Sequence, residues 1–484
     1  MKRFHLPALL AGLMLTAACG IVPPDDGLTD DDFRFNAATD HITLRHEVRG
    51  DWLTTVGGYD WPNKSDASST QISKLQSMIQ QLKDAGCNLV YFQVVSNMDA
   101  MYASDILPWS HVITGTQGQA PLFDPLAEAI KACRDRGMEI HAWINPLRAG
   151  AISMARCDQH VVKLHPDWIQ TYGSNYFLDP ALPAVREHLA AIVTELMTKY
   201  DLDGIHIDDY FYPDGIKTDQ KEWNDDAAYA LYGAGKSLEE WRYSNIDACV
   251  KAMHDATHAQ KATAIFGVSP AGRLENTMKL YADPRRWVAQ GTVDYLVPQI
   301  YWYHGHKTAD FKTVLDSWKD IVGNVPMFTG LAAYRLGETG FESMSEFVRQ
   351  VEDCRNASWV FGHVWFRTAF ILTNNFLPTL KSDIYNYGTL MPKIGLSDKQ
   401  APARPNPVLS GNRLEWSEVS GADGYAVYVL TREDNKSTQW TARLVYQGPH
   451  ISYEGQVRGN YVVLAYAGKE KSDISDVIFI PSAQ

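Results

Sequence analysis

Short apolar runs alternate with amphipathic stretches of helical period eight times between Val48 and about Asn374. This alternation restricts the chain to a parallel sheet wrapped by helices. The runs read as strands over residues 48–56, 88–95, 139–145, 204–208, 265–269, 295–301, 327–331 and 362–366. Helices are expected between them, among others over 70–85, 125–136, 183–200, 238–258, 310–321 and 343–356. Several open on Pro, Ser or Asp, which suit a helix start because the first backbone N–H groups have no partner within the helix. Eight such units close a (β/α)8 barrel of the α/β class, and a doubly wound open sheet is the alternative this pattern leaves.

One hydrophobic core does not organise 484 residues, so a smaller second domain is expected. After Met391 the texture changes: residues 400–407 hold three prolines, and short alternating runs follow at 413–416, 425–430, 442–446 and 460–466. Such runs suit a small all-β sandwich. Trp416 followed by Gly424-Tyr425-Ala426-Val427-Tyr428 resembles the B and C strands of fibronectin type III domains. The expected organisation is a barrel over 41–392, a linker over 393–404 and a fibronectin III-like sandwich over 405–484.

The first residues form a secretion signal: Lys2 and Arg3, an apolar stretch over 6–15, then Thr16-Ala17-Ala18-Cys19. Small residues before a cysteine point to bacterial lipoprotein processing. Removal of 1–18, lipidation of Cys19 and a hydrated acidic spacer over 19–40 are expected, since that segment cannot bury enough apolar surface to fold. The apolar run is too short to span a bilayer. The expected placement is an exported lipoprotein held to the outer membrane through its lipid alone, on the periplasmic or the surface face. Cys87, Cys133, Cys157, Cys249 and Cys354 lack any CxxC spacing and read as free thiols.

A net charge of −13 with no basic run argues against a nucleic-acid partner, which needs a cationic footprint. The 14 Trp and 24 Tyr exceed what core packing requires and suit stacking on sugar rings. In a (β/α)8 barrel the reactive groups sit where strands end. Here those ends read Thr54-Thr55, Gln93, Asn145-Pro146-Leu147-Arg148, Asp208-Asp209-Tyr210, Ser269-Pro270, Gln299-Ile300-Tyr301-Trp302, Tyr334-Arg335 and Trp365-Phe366-Arg367. Polar and aromatic groups converging from eight strand ends make a cleft.

The strongest signal within it is Asp203-Gly204-Ile205-His206-Ile207-Asp208-Asp209-Tyr210-Phe211-Tyr212-Pro213, an apolar strand ending in two carboxylates. Glycoside cleavage needs one group to stabilise the oxocarbenium-like centre and another to protonate the leaving oxygen. Neighbours on a strand face opposite ways, so Asp208 and Asp209 can converge only where the strand breaks into its loop. Such a pair fits substrate-assisted hydrolysis, in which a 2-acetamido group is the nucleophile, one carboxylate orients it and the other is acid and then base. Asp208 and Asp209 are therefore the catalytic candidates. No glutamate ends the fifth strand, and Glu222, Glu275 and Asp99 read as loop charges rather than as the acid.

Asn145, Arg148, Gln299, Tyr301, Trp302 and Trp365 are the candidate substrate-binding residues, supplying hydrogen bonds, a carboxylate-binding fork and flat apolar faces. His206, between Ile205 and Ile207, is expected to point inward as a core residue. His304 and His306 lack the carboxylates of a metal set, and neither metal nor cofactor is expected.

These residues carry a family resemblance. Val48-Arg49-Gly50 with Trp52-Leu53-Thr54-Thr55-Val56, Gln117-Gly118, Asp124-Pro125-Leu126, His141-Ala142-Trp143-Ile144-Asn145-Pro146, the 203–213 segment, Trp241-Arg242 and Pro298-Gln299-Ile300-Tyr301 resemble, in this order, the glycosyl-hydrolase-like 10 family of bacterial lipoproteins. The resemblance spans nearly the whole barrel. It implies a glycosidase acting on peptidoglycan glycan strands, including strands stripped of their stem peptides, with Asp208 and Asp209 functional and Asn145 and Gln299 in the cleft. One departure is Val95-Ser96 after Phe92-Gln93-Val94, where the family pattern continues with Arg-Pro. Muramic acid adds a carboxylate to each repeat, so Arg148, Arg273, Arg335 and Arg367 would have to supply local positive charge. Two other roles fit the residues: a glycan-binding lipoprotein without turnover, or a surface hydrolase of another polysaccharide.

Overall fold

Strands β1 (Val48–Leu53), β2 (Leu89–Val95), β3 (Glu139–Ile144), β4 (Gly204–Ile207), β5 (Ile265–Val268), β6 (Tyr295–Leu296), β7 (Met327–Leu331) and β8 (Val360–Phe366) close into a parallel barrel, β8 returning to β1. This is the (β/α)8 architecture the alternation called for. The computed structural model describes residues 30–218, 222–434 and 436–481; Cys19 and the signal segment lie outside them. It has two units, Glu47–Ile384 with Ile394–Leu396, and 30–46 with Tyr385–Lys393 and 397–481.

The helices start where side chains or proline satisfy the first turn. Besides α1 (Ser68–Asp84), α2 (Pro125–Arg134) has Pro125 in its first turn and the Asp124 carboxylate accepting from Ala127 N–H at 3.0 Å. Proline also opens α3 (Pro183–Lys199), and Ser237 caps α4 (Leu238–Gln260) through Glu240 N–H at 3.2 Å. The helix expected over 310–321 is instead two short ones, Phe311–Ser317 and Lys319–Val322, meeting at Trp318.

Barrel strands are buried on both faces, which is why β2 is apolar at nearly every position. Their alternation still decides what fills the lumen. Trp52, Tyr91, His141, His206 and Tyr295 point inward and pack ring against ring, with centroids 4.1 Å apart for Tyr91 and His206 and 5.7 Å for Trp52 and Tyr91. Gly267 makes room for this layer, since a Cβ there would fall 2.0 Å from the Tyr295 ring. The Trp52 indole N–H can only donate, so at 3.2 Å His206 Nε2 accepts, and His206 Nδ1–H is left to donate to Tyr295 Oη at 3.1 Å. Burial holds His206 well below the usual imidazole range and keeps it neutral. It is a core residue, as its place between two isoleucines indicated.

Two differences from the sequence pattern have physical causes. Strand β6 spans two residues rather than seven because Pro298 has no N–H for the ladder, although Gln299 still bridges Ala271 and Gly330. After β3, strands Arg148–Ala151, Ile169–Tyr172 and Asn175–Leu178 form an antiparallel sheet that was not foreseen. At four residues each they are too short to show a period of two.

Asp51, on the outer face of β1, is fully buried; it accepts a hydrogen bond from the Thr368 hydroxyl, and its Oδ1 has no partner. Burial, reinforced by the nearby Asp60 charge, raises its pKa well above the carboxylate range. A raised folded-state pKa means the fold loses stability as pH climbs through that value. Asp51→Asn should therefore melt together with the parent near about pH 4 and progressively above it as pH rises. Thermal unfolding across pH reads this directly, and a constant offset would refute it.

All five cysteines of this part of the chain are free, and burial pushes the Cys133, Cys249 and Cys354 thiols up to about 12, leaving them inert.

In the smaller unit, strand Gly424–Thr431 lies between Gln439–Gly448 and Gly459–Ala467. A second sheet joins Val408–Ser410, Arg413–Glu415 and Ser452–Glu454. Leu414, Trp416, Tyr425, Val427 and Tyr461 form one core, and the Tyr461 hydroxyl donates to the Val457 carbonyl at 2.8 Å. The other face of the larger sheet, carrying Tyr428, Leu430, Trp440 and Leu444, is covered by Phe35, Ile42, Leu44 and Leu390. The boundaries differ from those expected. Residues 41–46 and 385–392 belong to the sandwich rather than to the barrel, because His41–Thr43 pairs in parallel with Gln439, Trp440 and Thr441 and Leu390 enters the sandwich core, and residues 30–40, expected as an unfolded spacer, join it through Phe35.

Candidate active site

Trp143 and Asn145 lie two residues apart and so share the lumen face of β3. Both aim at Asp208, just beyond the end of β4. The Trp143 indole donates to Asp208 Oδ2 at 3.0 Å, and Asn145 Nδ2 donates to the same oxygen. Tyr210 N–H reaches Oδ1 at 3.4 Å. Asn145 is itself fixed: Gln93 Nε2 donates to its Oδ1 at 2.8 Å, while Gln93 Oε1 accepts from Thr55 N–H at 2.9 Å and Val56 N–H at 2.8 Å. A relay of hydrogen bonds thus runs across the ends of β1, β2, β3 and β4 and ends on one carboxylate.

Because β4 stops at Ile207, the doublet lies in the turn, where adjacent side chains can converge. Asp208 is 4 % exposed, and burial together with the Asp209 charge raises its pKa well above the carboxylate range, against the pull of Trp143, Tyr210 and Arg148. Asp209 is half-buried; burial raises its pKa, and a hydrogen bond from Gln299 lowers it. The charges of both aspartates raise the Tyr301 phenol, after burial itself and the Tyr334 ring partner. Tyr301 therefore lies near the pair. Its ring centroid lies 6.0 Å from Tyr334 and 5.9 Å from Phe366, making an aromatic wall beside the carboxylates. The Arg148 guanidinium lies over the Tyr210 ring, 4.9 Å from its centroid.

Two carboxylates of raised pKa in a broken strand end, one clamped by three donors and one less encumbered, are an arrangement that can exchange protons beside aromatic faces. The family model for glycosyl hydrolase-like 10 proteins matches residues 47–348. The chain belongs to that family. Within the curated proteins it is 32% identical over 405 residues to the glycosyl hydrolase YngK of Bacillus subtilis, covering 77% of this chain and 78% of that one. It is 34% identical over 370 residues to the glycosyl hydrolase DigH of Escherichia coli K12, covering 69% of this chain and 83% of that one. The protein is a glycoside hydrolase.

In this hydrolase the structure brings Asp208, Asp209, Asn145, Arg148, Gln299 and Tyr301 together, and holds Trp302 half-exposed at the rim against Gly272. Trp365 does not belong with them. It has no exposed surface and packs against Phe347 and Phe376, at centroid distances of 5.9 and 5.1 Å. The register explains this: Trp365 pairs with outward Asp51, whereas Phe366 pairs with Trp52 and faces inward. Phe366 takes the aromatic place assigned to Trp365.

Of the other arginines, Arg273 pairs with Glu275, Arg335 with Glu338 and Arg367 with Asp60, so their charge is already committed. Glu222 accepts from Gly173 N–H at the surface, and Asp99 is buried against Gln117. His304 is held between Glu346 and Asp353, whereas His306 accepts from the Ala309 backbone, so the two imidazoles have separate partners. Trp143, which donates to Asp208, and Gln93, which donates to Asn145, join the candidate site without having been assigned to it from the sequence. The spacing of two between Trp143 and Asn145 was the available signal.

Proposed function

We propose that this glycoside hydrolase cleaves glycan strands of N-acetylated sugars, most directly peptidoglycan strands freed of their stem peptides, with Asp208 orienting or stabilising the reacting sugar and Asp209 acting as acid and then base. The carrying observation is the doublet itself, Asp208 saturated by donors from Trp143, Asn145 and Tyr210 and Asp209 half-buried with a raised pKa beside Tyr301. A clamped carboxylate is suited to holding an acetamido N–H in one place. Its neighbour, protonated above the ordinary carboxylate range, is suited to donating to the leaving oxygen. Tyr301, Tyr334 and Phe366 supply apolar faces for sugar rings, and Arg148 supplies a cation for a muramic acid carboxylate.

The Thr16 to Cys19 signal supports export and attachment to the outer membrane through a lipid on Cys19. The packing of Trp416 on Tyr425, with centroids 5.4 Å apart, and the Tyr461 corner support a fibronectin III-like reading of the sandwich. Incubation with peptide-stripped peptidoglycan should release soluble fragments with new reducing ends. Binding to those strands without release would instead make the barrel a glycan receptor.

A further inference from the structure

We propose that His254, His258 and Asp294 bind a divalent first-row transition ion of the zinc class at the end of the barrel opposite the aspartates. His254 and His258 are one turn apart on α4, which brings their rings to one face, tilted at 55° with centroids 4.5 Å apart. Asp294, immediately before β6, brings Oδ2 to 2.9 Å from His258 Nε2. The three ligand atoms all lie within 4.8 Å of one another, a spacing that small side-chain rotations close onto one ion at metal–ligand distances of about 2.0–2.2 Å.

The surroundings match those of a ligand set. A metal-binding imidazole commonly has its other nitrogen held by a carboxylate or carbonyl, which fixes the ring and its tautomer. His254 Nδ1 is 3.0 Å from Asp255 Oδ1, leaving Nε2 for the ion. His258 also hydrogen-bonds the Ala262 carbonyl, and Asp294 Oδ2 accepts from Phe266 N–H at 2.6 Å. An ion pair between His258 and Asp294 would account for two of the three residues but gives His254 and its carboxylate partner no part. Each side chain is partly exposed, so water can complete the coordination.

Two imidazoles and one carboxylate suit zinc, cobalt or nickel rather than calcium or magnesium, which prefer all-oxygen sets. The ion would join the last turns of α4 to the starts of β5 and β6, bracing the barrel at the face where side chains serve stability rather than chemistry. No metal set is legible in the sequence here, because Asp294 lies 36 residues beyond His258 and only the fold brings them together.

The test uses the full-length protein stripped with chelator and titrated with zinc and with cobalt. One ion per chain should bind, and the melting temperature should rise by about 2 °C or more. His254→Gln should abolish that rise, and Asp255→Asn should weaken zinc binding roughly 10-fold while leaving the metal-free melting temperature close to the parent's. The cobalt form should show the visible bands of nitrogen and oxygen coordination without the near-ultraviolet thiolate band that a cysteine site would give. Substoichiometric binding, a thiolate band, or a zinc response retained in His254→Gln would each overturn the site.

Discussion

Asp208→Asn is expected to release soluble fragments from glycan strands roughly 100-fold more slowly than the parent, or slower still, with the fold intact. Asparagine keeps the shape and can still turn its carbonyl oxygen to Trp143 and Asn145, but its NH2 then meets Tyr210 N–H, donor against donor, and the second carboxylate oxygen that would act on the sugar is lost. A loss of that size corresponds to about 2.7 kcal/mol of transition-state stabilisation, more than one hydrogen bond in water provides and reasonable for a desolvated carboxylate. Binding of the same strands, measured by co-sedimentation, should change far less than the rate. A variant that digests at the parental rate would remove Asp208 from the chemistry.

Asp209→Asn should be comparably slow on natural strands, by about 10²–10⁴-fold, because protonation of the departing sugar oxygen is lost. The distinguishing measurement is an aryl N-acetylglycosaminide whose phenol leaves without a proton. On that substrate Asp209→Asn should recover most of its rate and Asp208→Asn should not. The pH profile carries the same assignment. Burial raises the Asp209 pKa, so the acid keeps its proton above the usual carboxylate range, and parental activity should fall as pH rises through the upper apparent pKa of the pair. In Asp209→Asn, assayed on the aryl substrate, that alkaline fall should flatten. If the two variants behave in the opposite sense, the roles of the aspartates exchange.

Much of this architecture was legible in the residues because a barrel strand announces itself as an apolar run and its loop as a burst of polar groups. The doublet was legible for the same reason: two aspartates closing an apolar strand have few structural explanations. The side of the sheet was harder. Trp365 and Phe366 are both large and aromatic, and only the pairing of β8 with β1 shows that Trp365 follows Asp51 outward while Phe366 follows Trp52 into the lumen. Trp143 was obscured because an indole in a strand reads first as core, and its donation to Asp208 depends on where β4 stops. The early end of β6 could be anticipated from Pro298, but the return of Gln299 to the ladder could not, since it depends on partners in Ala271 and Gly330.

The parallel pairing of His41–Thr43 with the strand Gln439–Gly448 also sets an order of assembly. One rim of the small module is encoded hundreds of residues before the rest, with the catalytic domain lying between as an insertion. During vectorial synthesis the barrel segment is complete before the first strand meets its mate, so the sandwich closes last. A deletion at the proline-rich junction therefore does not separate two independent pieces: it strands residues 41–43 on the catalytic fragment and leaves the small module with an uncovered edge.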